Sequence, residues 1–319
     1  MEMIRAHVQL PVLGKILIVC PSTDANYQKL SRLVTPDSSA DGDQVRLYTT
    51  LEAAYAAAVT NSDDVIVLAG QGTHTIADGI AWSKSRIHVI GFDGGGRYVQ
   101  QGAKVQNTDA VGTAYVIKVT GVRNTFRNIK FIQIDTNAAA LTVLQEGGEG
   151  NVYENCSFVF GVASNLDLTT AHEVVMGGDS CLFRKCTFGA DTLLTSADRS
   201  VMDLDQVTTS QECKSNIFED CIYIISTSET LANCVRLRAA DDILFTNLWI
   251  RPIFQYSIDS AGGVAGTDAF ESIAGVVKGT MNLYMPGTFN CTNTCTTATA
   301  VEVYAPATSN NAHEAIIPA

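Results

Sequence analysis

The chain has 319 residues, of which 46% are hydrophobic and 17% are charged, and its formal net charge is −12. This composition is typical of a globular protein and excludes an extended disordered chain. The acidic balance makes nucleic acid a poor partner, because phosphate binding requires a basic surface. No segment approaches the length of a transmembrane helix, so a membrane partner is not expected.

Residues 1–46 are expected to form an N-terminal arm or extended segment ahead of the main fold. The stretch "GKILIV" predicts an extended segment, and "TPDSSADGDQ" predicts a loop. The apolar run from Ile16 to Cys20 is too short for the core of a signal peptide, so we expect no export signal. The nine cysteines are an odd number, which favours a reduced cytoplasmic environment over a secreted disulfide framework.

The next segment, "TTLEAAYAAAVT", is the one stretch with helical periodicity. Thr49 or Thr50 can provide its N-cap. Its apolar face contains Leu51, Ala54, Tyr55 and Ala58. This segment predicts a short helix over residues 50–60 that caps one end of the fold.

Five later stretches share one pattern: apolar, any, polar, apolar, any, aromatic or apolar. They begin at Phe126, Tyr153, Phe183, Phe218 and Phe245. An earlier copy that begins at Ile87 lacks the polar position, and the steps between the six copies are 39, 27, 30, 35 and 27 residues. Because the repeated unit is rich in strand-forming residues bounded by Gly, Asn, Asp and Ser, it predicts a solenoid of stacked β-coils.

Stacked coils would place equivalent side chains in columns about 4.8 Å apart. One predicted inward column contains Ile129, Cys156, Cys186, Cys221 and Leu248, and a second contains Phe126, Tyr153, Phe183, Phe218 and Phe245. The corner column is predicted to contain Asn128, Asn155, Asp220 and Asn247, since Asn and Asp tolerate left-handed backbone. The three column cysteines then serve as small buried hydrophobes and require no chemistry.

With these columns, the chain resembles the single-stranded right-handed parallel β-helix family, which has the pectin-lyase-like fold. The entry segment "RLYTTLEAAYAAAVTNSDDVIVLAGQGTHTI" is similar to the start of that family, with a capping helix followed by a first strand and a turn. The resemblance implies an all-β protein whose parallel β-helix covers residues 47–285. Residues 286–319 are expected to form a C-terminal cap or an oligomerisation segment, because open solenoid ends must be covered.

Enzymes of this family carry recognisable residues, and two weak matches occur here. Arg251 precedes Pro252, but the spacing expected of a pectate lyase base is missing, and the favoured interpretation is that Pro252 ends the strand. Asp241 and Asp242 resemble one motif of polygalacturonase-like hydrolases, but the Gly-His-Gly motif is missing and such a pair is usually a turn.

The best catalytic candidate is the pair Asp203 and Asp205. The two residues alternate with Met202 and Leu204, so both carboxylates are expected to face outward about 7 Å apart, as in an inverting glycosidase. Glu173 and Asp179 on the preceding coil could join them. The alternative is that they are ordinary polar residues on the outside of a strand.

The remaining residues with chemical potential form no recognisable site. The histidines His7, His74, His88, His172 and His313 lack zinc-ligand spacing. The run "GFDGGGR" lacks the lysine of a phosphate-binding loop. Cys291 and Cys295 could form a disulfide or part of a metal site, but two ligands alone are a weak motif, and a turn with two free thiols is the favoured interpretation. We therefore assign no catalytic residue, cofactor or metal.

The resemblance extends to phage-encoded β-helix proteins of virus particles, and it implies a homotrimer. We expect a non-enzymatic virion protein of a tailed bacteriophage, either a capsid decoration or cement protein or a fibre component, made in the host cytoplasm. The expected partner is the major capsid protein or another virion protein, and a host-surface glycan is a further candidate. The alternative is a tailspike-type or free polysaccharide lyase or glycoside hydrolase that acts in the groove of the solenoid.

Overall fold

In a computed structural model, the chain forms a solenoid of three parallel β-sheets. The structure describes residues 14–36, 46–69, 72–92, 101–109, 112–161, 165, 168–194, 199–205, 207, 213–227, 232–237, 247–257, 268–272, 281–284, 288–289, 293–295 and 301–304. Eight coils each contribute one strand to every sheet, one sheet has four further strands, and the strands of successive coils pair in parallel. Among the described residues, no helix is long and apolar enough to cross a lipid bilayer.

Sheet A has twelve strands in the order β2-β3-β1-β4-β7-β10-β13-β16-β19-β22-β25-β28. Their bounds are β1 Ile16–Val19, β2 Thr35–Pro36, β3 Arg46–Tyr48, β4 Asp64–Leu68, β7 Ile87–Gly91, β10 Thr125–Arg127, β13 Val152–Glu154, β16 Leu182–Arg184, β19 Ile217–Glu219, β22 Asn247–Ile250, β25 Met281–Tyr284 and β28 Val301–Tyr304. The predicted extended segment "GKILIV" therefore contains a strand, β1, that lies between β3 and β4 in this sheet.

Sheets B and C have eight strands each. Sheet B contains β5 Thr73–Ile76, β8 Ala103–Asn107, β11 Ile129–Gln133, β14 Ser157–Phe160, β17 Thr187–Leu194, β20 Ile222–Thr227, β23 Ile253–Ser257 and β26 Thr288–Phe289. Sheet C contains β6 Ile80–Trp82, β9 Tyr115–Val119, β12 Thr142–Glu146, β15 His172–Met176, β18 Ser200–Leu204, β21 Asn233–Leu237, β24 Asp268–Ser272 and β27 Asn293–Cys295.

The predicted capping helix is present as α2, Leu51–Ala57, and a further helix, α1, spans Tyr27–Leu33. Thr50 is the N-cap of α2, and its hydroxyl accepts a hydrogen bond from the Ala53 N–H at 3.2 Å. Leu51 and Ala54 are buried against the first coil, as the periodicity predicts. The loop predicted at "TPDSSADGDQ" lies outside the described residues except for its first two, which form β2.

Two ladders of stacked aromatic rings fill the inside of the solenoid. Phe126, Tyr153, Phe183, Phe218 and Trp249 stack with centroid distances of 5.0, 4.5, 5.2 and 4.7 Å. Phe131, Phe158, Phe188, Tyr223 and Phe254 form the second ladder. Each ring is covered by the coil above and the coil below, so the core has no single centre and grows with each coil.

The predicted register is confirmed for the four central copies and wrong at both ends. Phe126 pairs with Val89 rather than Ile87, and Phe218 pairs with Trp249. Phe245, which was predicted in that position, lies outside the described residues. The copy after Phe218 is therefore four residues later than the pattern suggested.

The cysteine column is confirmed for Cys156, Cys186 and Cys221, which are fully buried and free. Each thiol lies 3.3–3.4 Å from a carbonyl oxygen of the preceding coil and donates to it. Leu248 is not part of this column, because it pairs with the outward-facing Ile217 on sheet A. Burial raises the pKa of the Cys156 and Cys186 thiols well above the ordinary value.

The predicted corner column has the expected left-handed backbone at Asn128, Asn155 and Asp220, but Asn247 does not belong to it. Asn128, Asn155, Lys185 and Asp220 have φ between 51° and 58°, and the Asn155 amide donates to the Asn128 side chain at 2.9 Å. Arg251, with φ 49°, follows Asp220 in this series. Asn247 instead belongs to a buried ladder at another corner, which also contains Asn124, Asn151 and Asn216 and which the sequence pattern did not reveal.

Candidate functional site

The structure contradicts the prediction of an accessible Asp203 and Asp205 pair. Met202 and Leu204 point into the solenoid, as expected, but the side chain of Asp203 is only 3% exposed although it lies on the outward face of β18. Asp205 follows the strand, is half-buried, and donates its backbone N–H to the Met176 carbonyl at 3.0 Å.

Asp203 instead belongs to a buried polar cluster that joins β15 to β18. His172 Nε2 lies 3.0 Å from Asp203 Oδ2. His172 Nδ1 lies 3.0 Å from the Ser200 carbonyl oxygen and 3.1 Å from Ser200 Oγ. The Ser200 hydroxyl donates its proton to Asp203 Oδ1. These contacts connect two successive coils, and His172 and Asp203 lie 31 residues apart in the sequence.

Ser, His and Asp are also the residue types of a hydrolase triad, but the arrangement here does not support that chemistry. A catalytic serine gives its proton to the imidazole, and its oxygen must reach a substrate carbonyl. Ser200 gives its proton to Asp203 and is fully buried. The cluster therefore holds coils together rather than presenting a nucleophile.

A second buried pair lies beside this cluster. Glu173 and Arg199 form an ion pair in which both side chains are 1% exposed. The Arg199 guanidinium lies 5.7 Å from the centroid of the Phe160 ring. Burial raises the pKa of Glu173, and the positive charge of Arg199 opposes that rise. Asp179 does not join this group, because its carboxylate accepts the Lys214 N–H at 3.0 Å at the turn before β16.

Arg251 lies in a turn and pairs with carboxylates of the preceding coil. Its Nε lies 2.7 Å from Asp220 Oδ1, and a terminal nitrogen lies 3.1 Å from Glu219 Oε1. Hydrogen bonds from Arg184 and then Arg251 to Glu219 hold the pKa of that carboxyl below its ordinary value. These contacts assign Arg251 to a surface ladder of ion pairs, in which Arg127 also meets Glu154 at 2.8 Å.

The other candidates form no site in the part of the chain that can be described. Asp241, Asp242, Cys291, His7 and His313 lie outside the described residues, as do residues 93–97 of the glycine-rich run, and Cys295 is the last residue of β27. His74 points inward, and burial lowers its pKa to about 4. His88 lies 3.5 Å from Asp63. Within the described ranges, no group of three His, Cys, Asp or Glu side chains is placed to hold a metal ion.

Glu146 is a titratable group that the sequence pattern did not reveal. It occupies an inward position of β12, between Val119 and Met176 on the neighbouring coils, and it is fully buried. Its carboxyl accepts hydrogen bonds from the Gly148 N–H at 2.6 Å, from the Asn151 amide at 3.0 Å and from the Tyr153 hydroxyl. Burial raises the pKa of Glu146 to about 7, against the opposing effect of these donors. An acidic residue aligned with two aliphatic ones is the signal that could have revealed it.

Comparison with solved structures finds similar folds at low sequence identity. The pectate lyase Pel9A matches with a TM-score of 0.53 and 16% identity over 88% of this chain and 67% of its own. The pectin methylesterase from Aspergillus niger matches with a TM-score of 0.54 and 11% identity over 94% of this chain and 83% of its own. The Dettilon tailspike protein aligns with a TM-score of 0.26 and 12% identity over 90% of this chain and 68% of its own.

No protein-family model matches the chain, and no curated protein matches it by sequence. At such identities, a likeness to the two enzymes establishes the fold and transfers no activity. The likeness agrees with the three parallel sheets described above. The chain is a single-stranded, right-handed parallel β-helix with the pectin-lyase-like fold.

Proposed function

We propose that the protein is a non-enzymatic structural component of a virus particle, namely a capsid decoration or cement protein, or a fibre component, of a tailed bacteriophage. The burial of Asp203 carries the non-enzymatic part of this proposal. Asp203 and Asp205 are the best pair of carboxylates that the sequence offers for sugar chemistry. They cannot act as a pair, because both oxygens of Asp203 are bound by His172 and Ser200. That carboxylate links coils and is not available to a substrate.

The charged side chains on the outer faces of the sheets support the same proposal, because they pair with one another from coil to coil. On sheet A, Arg127 pairs with Glu154, and Arg184 and Arg251 pair with Glu219. On sheet C, Arg236 pairs with Glu271.

A catalytic acid or base usually has a perturbed pKa and access to a substrate. Burial raises the pKa of Glu146 and of Glu173, but both side chains are fully buried and out of reach of a substrate.

The virion location and the partners are part of the proposal. They rest on the resemblance to phage β-helix proteins and on the seven free, buried cysteines among the described residues, which suit assembly in a reducing host cytoplasm. The partner is the major capsid protein or another virion protein. The homotrimer that the resemblance implies and contact with a host-surface glycan remain predictions.

The experiment that tests this function is quantitative mass spectrometry of purified particles from the source. The copy number of this protein is measured against that of the major capsid protein. A fixed ratio of the order expected for a decoration protein, retained after density-gradient purification, supports the proposal. Absence from purified particles overturns it.

A separate experiment addresses the alternative of a polysaccharide lyase or glycoside hydrolase. The purified protein is incubated with surface polysaccharides of the host, and the release of reducing ends and of unsaturated products is followed. We expect no release from the wild type, Asp203→Asn or Asp205→Asn. Release that Asp205→Asn abolishes, while the variant remains folded, would establish the enzymatic alternative.

A further inference from the structure

His74 is a titratable side chain in an apolar position at the N-terminal end of the solenoid. It points inward from β5, where its register partner is Val105, and Val105 pairs in turn with Phe131 of the second aromatic ladder. The residue is only 2% exposed. Among the residues that the structure describes, no group forms a hydrogen bond with either ring nitrogen. A proton added to this ring would therefore place a charge and two unsatisfied N–H donors inside the core.

The strand that carries His74 lies at an open edge of its sheet. Within the described part of the chain, β5 is the terminal strand of sheet B and pairs with β8 alone. It also contacts α2, whose Glu52 carboxylate accepts the N–H of Ala77, just after β5, at 2.9 Å. A helix of seven residues is not stable without tertiary contacts. Together β5 and α2 form the N-terminal cap of the solenoid, and their attachment depends on the side chains packed beneath them.

The charged groups around the N-terminal cap do not keep His74 protonated. Asp24, in the turn before α1, favours the protonated ring, but burial outweighs this effect and lowers the pKa of His74 to about 4. Glu52 of α2 is bound to the backbone after β5, and Lys104 of β8 lies on the outer face of the sheet. Strand β6 of the same coil contains no charged residue. The ring is therefore neutral in the closed cap at neutral pH.

We propose that His74 is an acid-sensitive latch, whose neutral ring keeps the N-terminal cap closed on the first coil and whose protonation opens it. Opening of the cap admits water to the ring, so the added charge is solvated in the open form only. A histidine exposed to water takes up this proton near pH 6.5. The stabilisation of the closed cap is therefore fully present above pH 6.5 and is lost as the pH falls towards 4, in the direction opposite to the effect of Glu146. The latch is independent of the proposed virion role.

The first test is NMR spectroscopy of the full chain labelled with ¹⁵N-histidine. The signals of His74 are identified by their absence from His74→Phe. At pH 5.5, where a histidine exposed to water is roughly nine-tenths protonated, we expect the His74 ring to carry a proton on one nitrogen only. A His74 ring with protons on both nitrogens in the folded protein at pH 5.5 would overturn the proposal.

The second test measures hydrogen exchange by mass spectrometry at pH 7 and pH 5 in the wild type and in His74→Phe. Phenylalanine has a ring of similar shape, cannot be protonated and continues the second aromatic ladder. From pH 7 to pH 5 we expect protection over residues 51–58 and 73–76 of the wild type to fall about 20-fold, once the intrinsic pH dependence of exchange is removed. Protection of the same residues in His74→Phe should change little.

The strands of the central coils are the internal control, because both proteins retain Glu146 and should show the same exchange there. An equal loss of cap protection in the wild type and the variant would contradict the latch. If His74→Phe does not fold, His74→Leu takes its place in both experiments, since it also removes the ionisable ring.

Discussion

At the scale of single residues, Glu146 is a fully buried carboxyl group inside the solenoid. Its three hydrogen-bond donors, Gly148, Asn151 and Tyr153, are uncharged groups. Tyr153 is also part of the aromatic ladder, stacked 5.0 Å from Phe126 and 4.5 Å from Phe183. Ionisation of Glu146 therefore places a charge without a counter-ion next to the core of the central coils.

This environment predicts that stability falls as the pH rises. The folded pKa of Glu146 is about 7, above the ordinary value of 4.5. Between these values the unfolded chain loses its proton while the folded protein retains it. The contribution of protonated Glu146 to the free energy of unfolding is thus fully present below about pH 4.5, decreases as the pH rises and is lost once the pH passes about 7. The shift corresponds to roughly 3 kcal/mol at 1.36 kcal/mol for each unit.

We expect Glu146→Gln to remove most of this pH dependence. The amide oxygen can accept from Gly148 and Asn151, and the amide nitrogen can donate to the Tyr153 hydroxyl. Urea unfolding at pH 5 and pH 8 should show a gain for the variant at pH 8 and little change at pH 5. Glu149→Gln is the control, because it removes the same charge from an exposed side chain just after β12. A gain of equal size in both variants would show that net charge, rather than burial, is responsible.

The cysteines lead to a second prediction at this scale. Seven of the cysteines that the structure describes are buried and outside any disulfide, and desolvation raises the pKa of thiols such as Cys181 and Cys186. Titration of the native protein with a thiol reagent should modify at most two of the nine cysteines rapidly, namely Cys291 and Cys295. All nine should react in denaturant under reducing conditions. Rapid reaction of more than two in the native state would contradict the stacked column.

The sequence pattern correctly predicts that Asp203 lies on the outer face of its strand but not that its side chain is buried there. Alternation along β18 fixes which side chains point inward, and this information is local. Burial of an outward residue depends on a partner from another coil, and His172 is 31 residues away. The residue pattern contains no signal for that pairing, because His172 and Ser200 look like ordinary polar positions at the start of a strand.

At the scale of elements, helix α2 is attached to the first coil through Lys84 and Tyr55. The Lys84 ammonium donates to the carbonyl oxygens of Tyr55, Ala56 and Ala58 at 2.7, 2.9 and 2.7 Å, at the carboxyl end of the helix. A positive charge is favoured there by the helix dipole. The Tyr55 ring stacks on Trp82 at 4.1 Å. These contacts explain how a helix of seven residues remains in place at the end of the solenoid.

We expect Lys84→Met to loosen this helix. The methionine retains most of the aliphatic stem but loses the donors to three helix carbonyls, at a cost of about 1–2 kcal/mol. Hydrogen exchange measured by mass spectrometry should show faster exchange over residues 51–58 and little change over the strands of the central coils. Lys29→Met is the matched control, because Lys29 is exposed on α1. Unchanged exchange over α2 in Lys84→Met would remove Lys84 from this role.

The central strands were predictable because each carries several independent signals. An aromatic residue, a left-handed corner residue and an apolar residue recur together at Phe126, Asn128 and Ile129 and in the three following copies. In the first and last copies of the repeat, these three residue types no longer occur together. In the first copy, Val89 occupies the ladder position and is not aromatic. In the last copy, the pattern predicts Phe245, but Trp249, four positions later, occupies the ladder position. Coil length varies with the loops, so the pattern alone cannot choose between two nearby aromatic residues.

At the scale of the whole molecule, each coil is held mainly by its two neighbours. Inward side chains stack on the next coil, and backbone hydrogen bonds join strands of successive coils. Such a protein has approximately additive stability, with one contribution from each coil and one from each interface between coils. The fold therefore depends on register from coil to coil, and not on any particular number of coils.

Removal of one coil in register tests this property. Deletion of residues 126–152 joins Thr125 to Tyr153, which is the register partner of Phe126, so every inward position remains inward. The deletion also removes Glu146 and replaces the contact of Trp82 with Phe126 by one with Tyr153. We expect this variant to unfold cooperatively, with a β-rich circular dichroism spectrum and a lower midpoint than the full chain. Deletion of residues 126–151 is the control, because a shift of one residue sends the inward side chains of the joined strand to the outer face. We expect the control to lose cooperative unfolding. If the two deletions behave alike, the stacked columns do not determine the fold.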